Sequence, residues 1–311
     1  MKVLLTGAFG NIGSHVLTEL VRRGHDVRCF ALDTTEDRKR ASTFHGIETI
    51  WGDIRDYQTV EAAVAGVDVV LHLAAVIPPT SELDVPRAAK VNVEGTRNVV
   101  TAALAQSDRP KLLFASTFDV HGRTMHRKPP RRVDDPLEAT DGYTAQKIEA
   151  EQIVRQSGLT WFIPRFADVP VIGERGADPI MFEIGLDNRI EVLHPDDAAV
   201  ALANALETPQ VWGRVLFVGG GETCQVTYRD YLARMLRAMG MKPLPEKAFS
   251  GREYVTDWVD TEESQRLLQY QNHSFDDITD DIAGTLGWKR WIVPVVKPLV
   301  RRSMLKMSPY R

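Results

Sequence analysis

Five short apolar runs, at residues 3–5, 27–32, 47–51, 67–73 and 112–115, are separated by stretches with helical patterning. Each run is nearly continuous in hydrophobicity rather than alternating. Such a strand must be covered on both faces, which is the condition of a parallel sheet flanked by helices. Between the first two runs, Ile12, Val16, Leu17, Leu20 and Val21 recur at helical spacing, and Gly24 is placed to end that helix. Helical stretches over about 86–106 and 142–156 precede a fifth strand and a sixth at 161–163. This order predicts an α/β fold, a doubly wound parallel Rossmann sheet.

The alternation fades after Arg165. A Gly- and Pro-bearing loop at 169–179 is followed by a helix around 197–206, a strand at 215–218, a helix around 228–239 and a Pro-bearing linker at 242–245. The expected division is a dinucleotide-binding domain over 1–165, with later segments returning to it. Residues 166–311 would form a smaller mixed substrate-binding lobe and a basic tail. From Trp288 to Arg311 the tail carries Lys289, Arg290, Lys297, Arg301, Arg302, Lys306 and Arg311 and no acid. A basic, apolar-interleaved segment can lie on an anionic membrane, but Pro294 and Pro298 should break a long amphipathic helix. A packed or frayed terminus is the favoured reading.

Composition narrows the partners. The net charge is −4 and the basic residues form no separate domain, so nucleic acid is not an expected partner. Cys29 and Cys224 are too few for a disulfide framework and are expected reduced. The chain opens on strand-like sequence with no signal-peptide pattern, and no window nears the ~20 apolar residues of a membrane span. A cytoplasmic location follows as an expectation. The histidines show no H-E-x-x-H and no paired cysteines, so no metal site is expected, and His72 and His194 read as core or turn histidines.

The turn after the first strand reads Thr6-Gly7-Ala8-Phe9-Gly10-Asn11-Ile12-Gly13. Gly7 permits a tight turn, Gly10 lets backbone approach a pyrophosphate, and Gly13 lets helix and strand pack closely. The helix N-terminus offers N–H groups to phosphate. Gly7, Phe9, Gly10, Asn11, Ile12 and Gly13 are therefore candidate cofactor contacts. At the end of the second strand, Asp33 suits the free ribose hydroxyls of NAD, whereas Arg38, Lys39 and Arg40 suit the extra phosphate of NADP. NAD is the expected cofactor, with NADP open. Further on, Tyr143 and Lys147 stand four apart in a helical stretch and so share a face. An ammonium there should favour the phenolate, fitting the tyrosine for acid–base work and the lysine for the nicotinamide ribose.

With these motifs the sequence resembles the extended short-chain dehydrogenase/reductase family, which includes NAD-dependent epimerases and dehydratases. The resemblance is strong over about 1–220. It implies that Asp53 and Ile54, in Trp51-Gly52-Asp53-Ile54, border the adenine. It also implies that Leu73, Ala74 and Ala75 line the cofactor and that Asn92 is the family's helix asparagine. Pro164 and Arg165 would flank the nicotinamide. In Ala115-Ser116-Thr117-Phe118-Asp119-Val120-His121-Gly122 it places the catalytic hydroxyl at Thr117, completing a Thr117–Tyr143–Lys147 triad. Asp197 resembles part of a helix-start motif and is read as a cap.

Departures matter too. Ala31 stands where NAD-binding members often have Asp, and Leu32 where NADP-binding members often have Arg. His121 replaces a common tyrosine. Asp168 replaces the usual Asn near a sugar-nucleotide diphosphate, and repulsion there would cost roughly 1–4 kcal/mol. The resulting expectation is an NAD(P)-dependent oxidoreductase acting on a small or lipophilic alcohol or ketone. A nucleotide-sugar epimerase or dehydratase is the first alternative, and a non-catalytic dinucleotide sensor the second. A homodimer through the helices at 86–106 and 142–156 is also expected.

Overall fold

The computed structural model describes residues 1–173, 178–285 and 293–310, without side-chain placement at 293–298. In chain order, β1 (Lys2–Thr6), α1 (Asn11–Arg22), β2 (Asp26–Ala31), α2 (Thr35–Ala41), β3 (Glu48–Trp51), α3 (Tyr57–Val64) and β4 (Val69–His72) build the first half of the sheet. The second half follows. Helices α4 (Thr80–Leu83) and α5 (Val85–Ala89) lead through a π-turn at Lys90–Glu94 into α6 (Gly95–Leu104). Strand β5 (Lys111–Phe114) and its continuation β6 (Ser116–Thr117) precede α7 (Gly142–Gln156) and β7 (Trp161–Phe166). The helix expected over 86–106 thus carries a wide turn centred on Asn92.

The strands run parallel in the order β3-β2-β1-β4-β5-β7. β5 and β6 keep one register against β7, with Leu112 opposite Trp161 and Ser116 opposite Arg165. The continuous hydrophobicity of the runs is explained by two cores. Val3 and Leu5 enter one with Val16, Leu17, Leu20 and Leu202. Leu4 enters the other with Val64, Val70, Val99, Phe114 and Val154.

After β7 come β8 (Arg189–Glu191), α8 (Pro195–Glu207), β9 (Arg214–Val218), β10 (Gln225–Thr227), α9 (Tyr228–Ala238), α10 (Glu262–Leu268), α11 (Phe275–Thr285) and α12 (Val293–Met307). Two of these join the N-terminal layers: β9 pairs with β7, and α8 packs on α1. A third core, with Phe182, Ile190, Cys224, Leu232, Phe249, Phe275 and Met304, organises the rest. Cys29 and Cys224 are free thiols buried in different cores.

The terminal segment departs from expectation. α12 runs through both prolines. Pro294 falls in the first turn, where its missing N–H costs nothing, so the break expected there does not occur. The helix docks on the third core through Met304. Arg301 donates to the Lys242 and Pro243 carbonyls at 3.0 and 2.6 Å, and Ser308 Oγ donates to the Ala248 carbonyl at 2.6 Å. Trp288, Lys289, Arg290 and Arg311 lie outside the described residues. Among the described residues no helix is long and apolar enough to cross a membrane.

Candidate active site

The glycines of the first turn have little room for anything larger. Gly7 adopts φ +68°, and a Cβ there would sit 2.9 Å from Ala74 N. A Cβ at Gly13 would fall 2.1 Å from the Gly7 carbonyl oxygen. Gly10 caps α1 without a side-chain acceptor, so the first-turn N–H groups face outward unclaimed by any cap. This cradle fits a pyrophosphate. Phe9 contributes backbone only, since its ring is buried against Trp51. Asn11 donates to the Val169 and Pro170 carbonyls at 3.2 and 3.3 Å, tying the loop after β7 to the turn. Ile12 packs against the first core.

At the end of β2 an acid and a base hold each other. Arg38 forks Asp33 at 2.5 and 2.9 Å while lying 4.7 Å over the Trp51 ring. That hydrogen bond holds the Asp33 carboxyl below its usual range. Arg40 donates to the Phe9 carbonyl at 2.6 Å. Asp53 is forked by Arg55 in the same manner, and Ile54 is buried beneath Gly95, where a Cβ would meet it at 2.6 Å. Leu73 N and Ala74 N both donate to Thr6 Oγ1, which also meets His72 Nδ1 at 2.8 Å. Burial pushes His72 down to about 3, so it is a neutral core histidine. Ala75 follows in the same loop.

Thr117 ends the β5–β6 line, at the carboxyl edge of the sheet. Asp141 and Thr144 form a capping box that starts α7 immediately before Tyr143. Lys147 follows one turn later on the same face. Its Nζ donates to the Ala115 carbonyl at 2.8 Å and lies 5.9 Å from the Tyr143 ring centre. The structure thus brings the tyrosine, the lysine and the end of the threonine's strand to one edge.

Comparison with known proteins bears on the family and the fold. The family model described as 3-beta hydroxysteroid dehydrogenase/isomerase matches residues 4–160. A 2-alkyl-3-oxoalkanoate reductase of Stenotrophomonas maltophilia is 30% identical over 270 residues, covering 80% of this chain and 79% of that protein. The chain belongs to the extended short-chain dehydrogenase/reductase family. A dTDP-glucose 4,6-dehydratase of Streptomyces antibioticus, another similar protein, is 27% identical across 100% of this chain and 99% of its own. The solved UDP-glucose 4-epimerase of Thermotoga maritima superposes with a TM-score of 0.78 at 20% identity, covering 92% of this chain and 98% of its own. This protein is an enzyme of that extended family.

The electrostatics of the tyrosine run against the sequence expectation. Burial, with Asp119 and Asp141 nearby, pushes the Tyr143 phenol up rather than down. Burial also pushes Lys147 down to about 8. In the protein alone the phenol therefore keeps its proton, because desolvation and two carboxylates outweigh the ammonium.

Other expected contacts have prior commitments. Asn92 is buried, taking the Val76 N–H at 2.8 Å and donating to the Val76 carbonyl and to Gln146 Oε1 at 2.9 and 2.8 Å. It positions backbone rather than facing solvent. Pro164 is buried within β7. Arg165 is spent on Glu151 through two bonds of 2.9 and 2.7 Å, and its Nη1 meets His121 Nε2 and the Val133 carbonyl. Its side chain is a floor support, so contact with a nicotinamide would have to come from backbone.

Two groups escaped the sequence reading. Glu151 continues the four-residue step from Tyr143 through Lys147, and Ser116 Oγ donates to it at 2.6 Å. Extending the helical spacing by one turn would have found it. Asp119 is hydrogen-bonded by Thr117, and burial with Asp168 and Asp141 nearby pushes it up to about 7. Burial first, then Asp119, Asp141 and Asp168, push the Tyr254 phenol up to about 12, with Arg123 opposing them.

Proposed function

We propose that this enzyme is an NAD(P)-dependent oxidoreductase acting at a carbinol or carbonyl carbon of an alcohol or ketone that carries no diphosphate. The observation that carries the reading is the buried Tyr143–Lys147 pair on one face of α7, at the same carboxyl edge of the sheet as the glycine turn after β1. When bound, the dinucleotide supplies or accepts the hydride. Gly7, Gly10 and Gly13 hold its pyrophosphate, Asp33 or the Arg38–Arg40 cluster meets the adenosine ribose, and Asp53 lies towards the adenine. Tyr143, protonated in the free protein, gives its hydroxyl proton to a carbonyl oxygen in the reducing direction and takes it back in the other. Lys147, cationic below about pH 8, stabilises the phenolate left behind. Thr117 orients the same oxygen. The residues after β7 bear the substrate, and a homodimer through the helices at 86–106 and 142–156 belongs to the same proposal.

Asp168, in the loop after β7, counts against a diphosphate bound beside it, since a carboxylate ~4 Å from a phosphate charge costs about 1–4 kcal/mol. The name of the reductase relative is consistent with ketone chemistry. One observation favours the epimerase or dehydratase alternative: Asp119, pushed up to about 7, is a second group able to trade protons near neutrality. The experiment is turnover with NAD or NADP over a panel of alcohols, ketones and nucleotide sugars. Reduced cofactor accumulating in solution from an alcohol, with Tyr143→Phe slower by about 10²–10⁴, is the expected result. Conversion of a nucleotide sugar with no free reduced cofactor would replace it with the alternative.

A further inference from the structure

We propose that His194, Asp196 and His273 form a site for a divalent transition-metal ion of the zinc type, clamping α1 and α8 to the segment that leads into α11. One ligand atom from each lies within 4.8 Å of the others. The site shares no residue with the Tyr143 centre.

The local fold prepares these groups one at a time. His194 is the N-cap of α8, and its Nδ1 accepts the Asp196 N–H at 3.0 Å. The ring is 2% exposed, and its Nε2 meets Asp281 Oδ2 at 3.1 Å. Asp197 was expected to cap the helix. Instead it reaches the loop before α11, accepting the N–H groups of Asn272 and His273 at 3.0 Å each and meeting His273 Nδ1 at 2.7 Å. A carboxylate on Nδ1 fixes that nitrogen as the N–H and leaves the Nε2 lone pair free, which is how metal-binding histidines are oriented.

The His194 and His273 rings stack face to face at 4.0 Å with 18° between their planes; imidazole lone pairs lie in the ring planes, so one ring tilts out of the stack for both nitrogens to meet a single ion. His194 Nδ1 is 3.8 Å from Asp196 Oδ2. Zinc bonds of about 2.0–2.2 Å place tetrahedral ligands roughly 3.3 Å apart. The exposed Asp196 carboxylate can close that gap by rotation. His194 exchanges the Asp196 N–H for the metal. His15, on α1, meets Asp196 Oδ1 at 2.5 Å, and with Asp281 it stands next in line as a further ligand or a support. Two imidazoles and a carboxylate suit zinc, cobalt or nickel and not the oxygen-bound magnesium or calcium.

The test uses chelator-treated full-length protein titrated with Zn²⁺, Co²⁺ and Mg²⁺. One equivalent of Zn²⁺ is expected to bind and raise the thermal midpoint, Co²⁺ to give visible ligand-field bands, and Mg²⁺ to do neither. Asp196→Asn and His273→Gln should each weaken Zn²⁺ by about tenfold or more and remove the Co²⁺ bands, with circular dichroism and oxidoreductase turnover unchanged. Asp197→Asn should weaken Zn²⁺ about 10–100-fold through the lost orientation of His273. Absence of Zn²⁺ binding, or equal binding by wild type and both ligand variants, would overturn the site.

Discussion

The floor and the rim of the cleft contain the same chemical pair with opposite surroundings. Beneath the site, Arg165 forks Glu151 with both side chains 2% exposed. At the rim, Arg38 forks Asp33 with side chains 55% and 56% exposed. Water screens the rim pair, and a ligand phosphate or hydroxyl can take over either partner at little cost. The floor pair has no such alternative, because each charge is out of water and depends on the other. The floor therefore fixes α7 against β7, and with it Tyr143 and Lys147. The rim is left free to choose a cofactor.

Breaking the floor should give the largest effect. Glu151→Gln leaves the Arg165 guanidinium buried without its counter-charge and is expected to cost about 3–5 kcal/mol of stability in chemical denaturation. The double replacement Glu151→Leu with Arg165→Met should recover much of that loss, since the pair's own net contribution is small. A single variant as stable as wild type would mean that water reaches the pair, and the contrast with the rim would fail.

The same contrast explains what was legible in the sequence. The strands could be read because burial on both faces writes itself as unbroken apolar runs, and the glycine cradle because only Gly fits at 7 and 13. Tyr143 and Lys147 could be read because they lie one helical turn apart. The environment of Asp119 could not, since Asp141 and Asp168 reach it from other segments. Nor could the grouping of His194 with His273, which the approach of α8 to the segment before α11 creates. Pro298 misled because local propensity gave way to the docking of α12 on the third core.

The pH response should separate floor from rim next. Lys147 is pushed down to about 8 by burial, so its charge is present below that pH and lost above it. kcat/KM should fall as pH rises through about 8, and Lys147→Arg should move that basic limb upward, because a guanidinium stays charged. The stability sign is opposite. Between about 8 and the ordinary 10.5 the unfolded lysine holds a proton that the folded one has released, so this group makes stability rise with pH. Asp119, raised to about 7, contributes stability below the ordinary 3.8 that is lost progressively as pH rises through about 7. Asp119→Asn should flatten that acid-side slope in pH-dependent melts. The exposed Asp33–Arg38 pair should leave both profiles unchanged near neutrality, since its shifts keep both partners charged there.

The smallest effect on stability, and the most specific on function, belongs to the rim. Arg38→Ala should leave the thermal midpoint within the error of a melt, because the pair is solvated and Trp51 remains packed on Phe9. Releasing Asp33 while removing one cation should shift the kcat/KM ratio towards NAD, by lifting competition for the carboxylate and weakening the site for a ribose phosphate. Arg40→Ala is the necessary partner experiment. Arg40 is tied to the Phe9 carbonyl of the glycine turn, so its loss should weaken both cofactors rather than choose between them. If Arg38→Ala lowers NAD and NADP use equally, the arginine holds the rim together as Glu151 and Arg165 hold the floor, and selection must lie elsewhere.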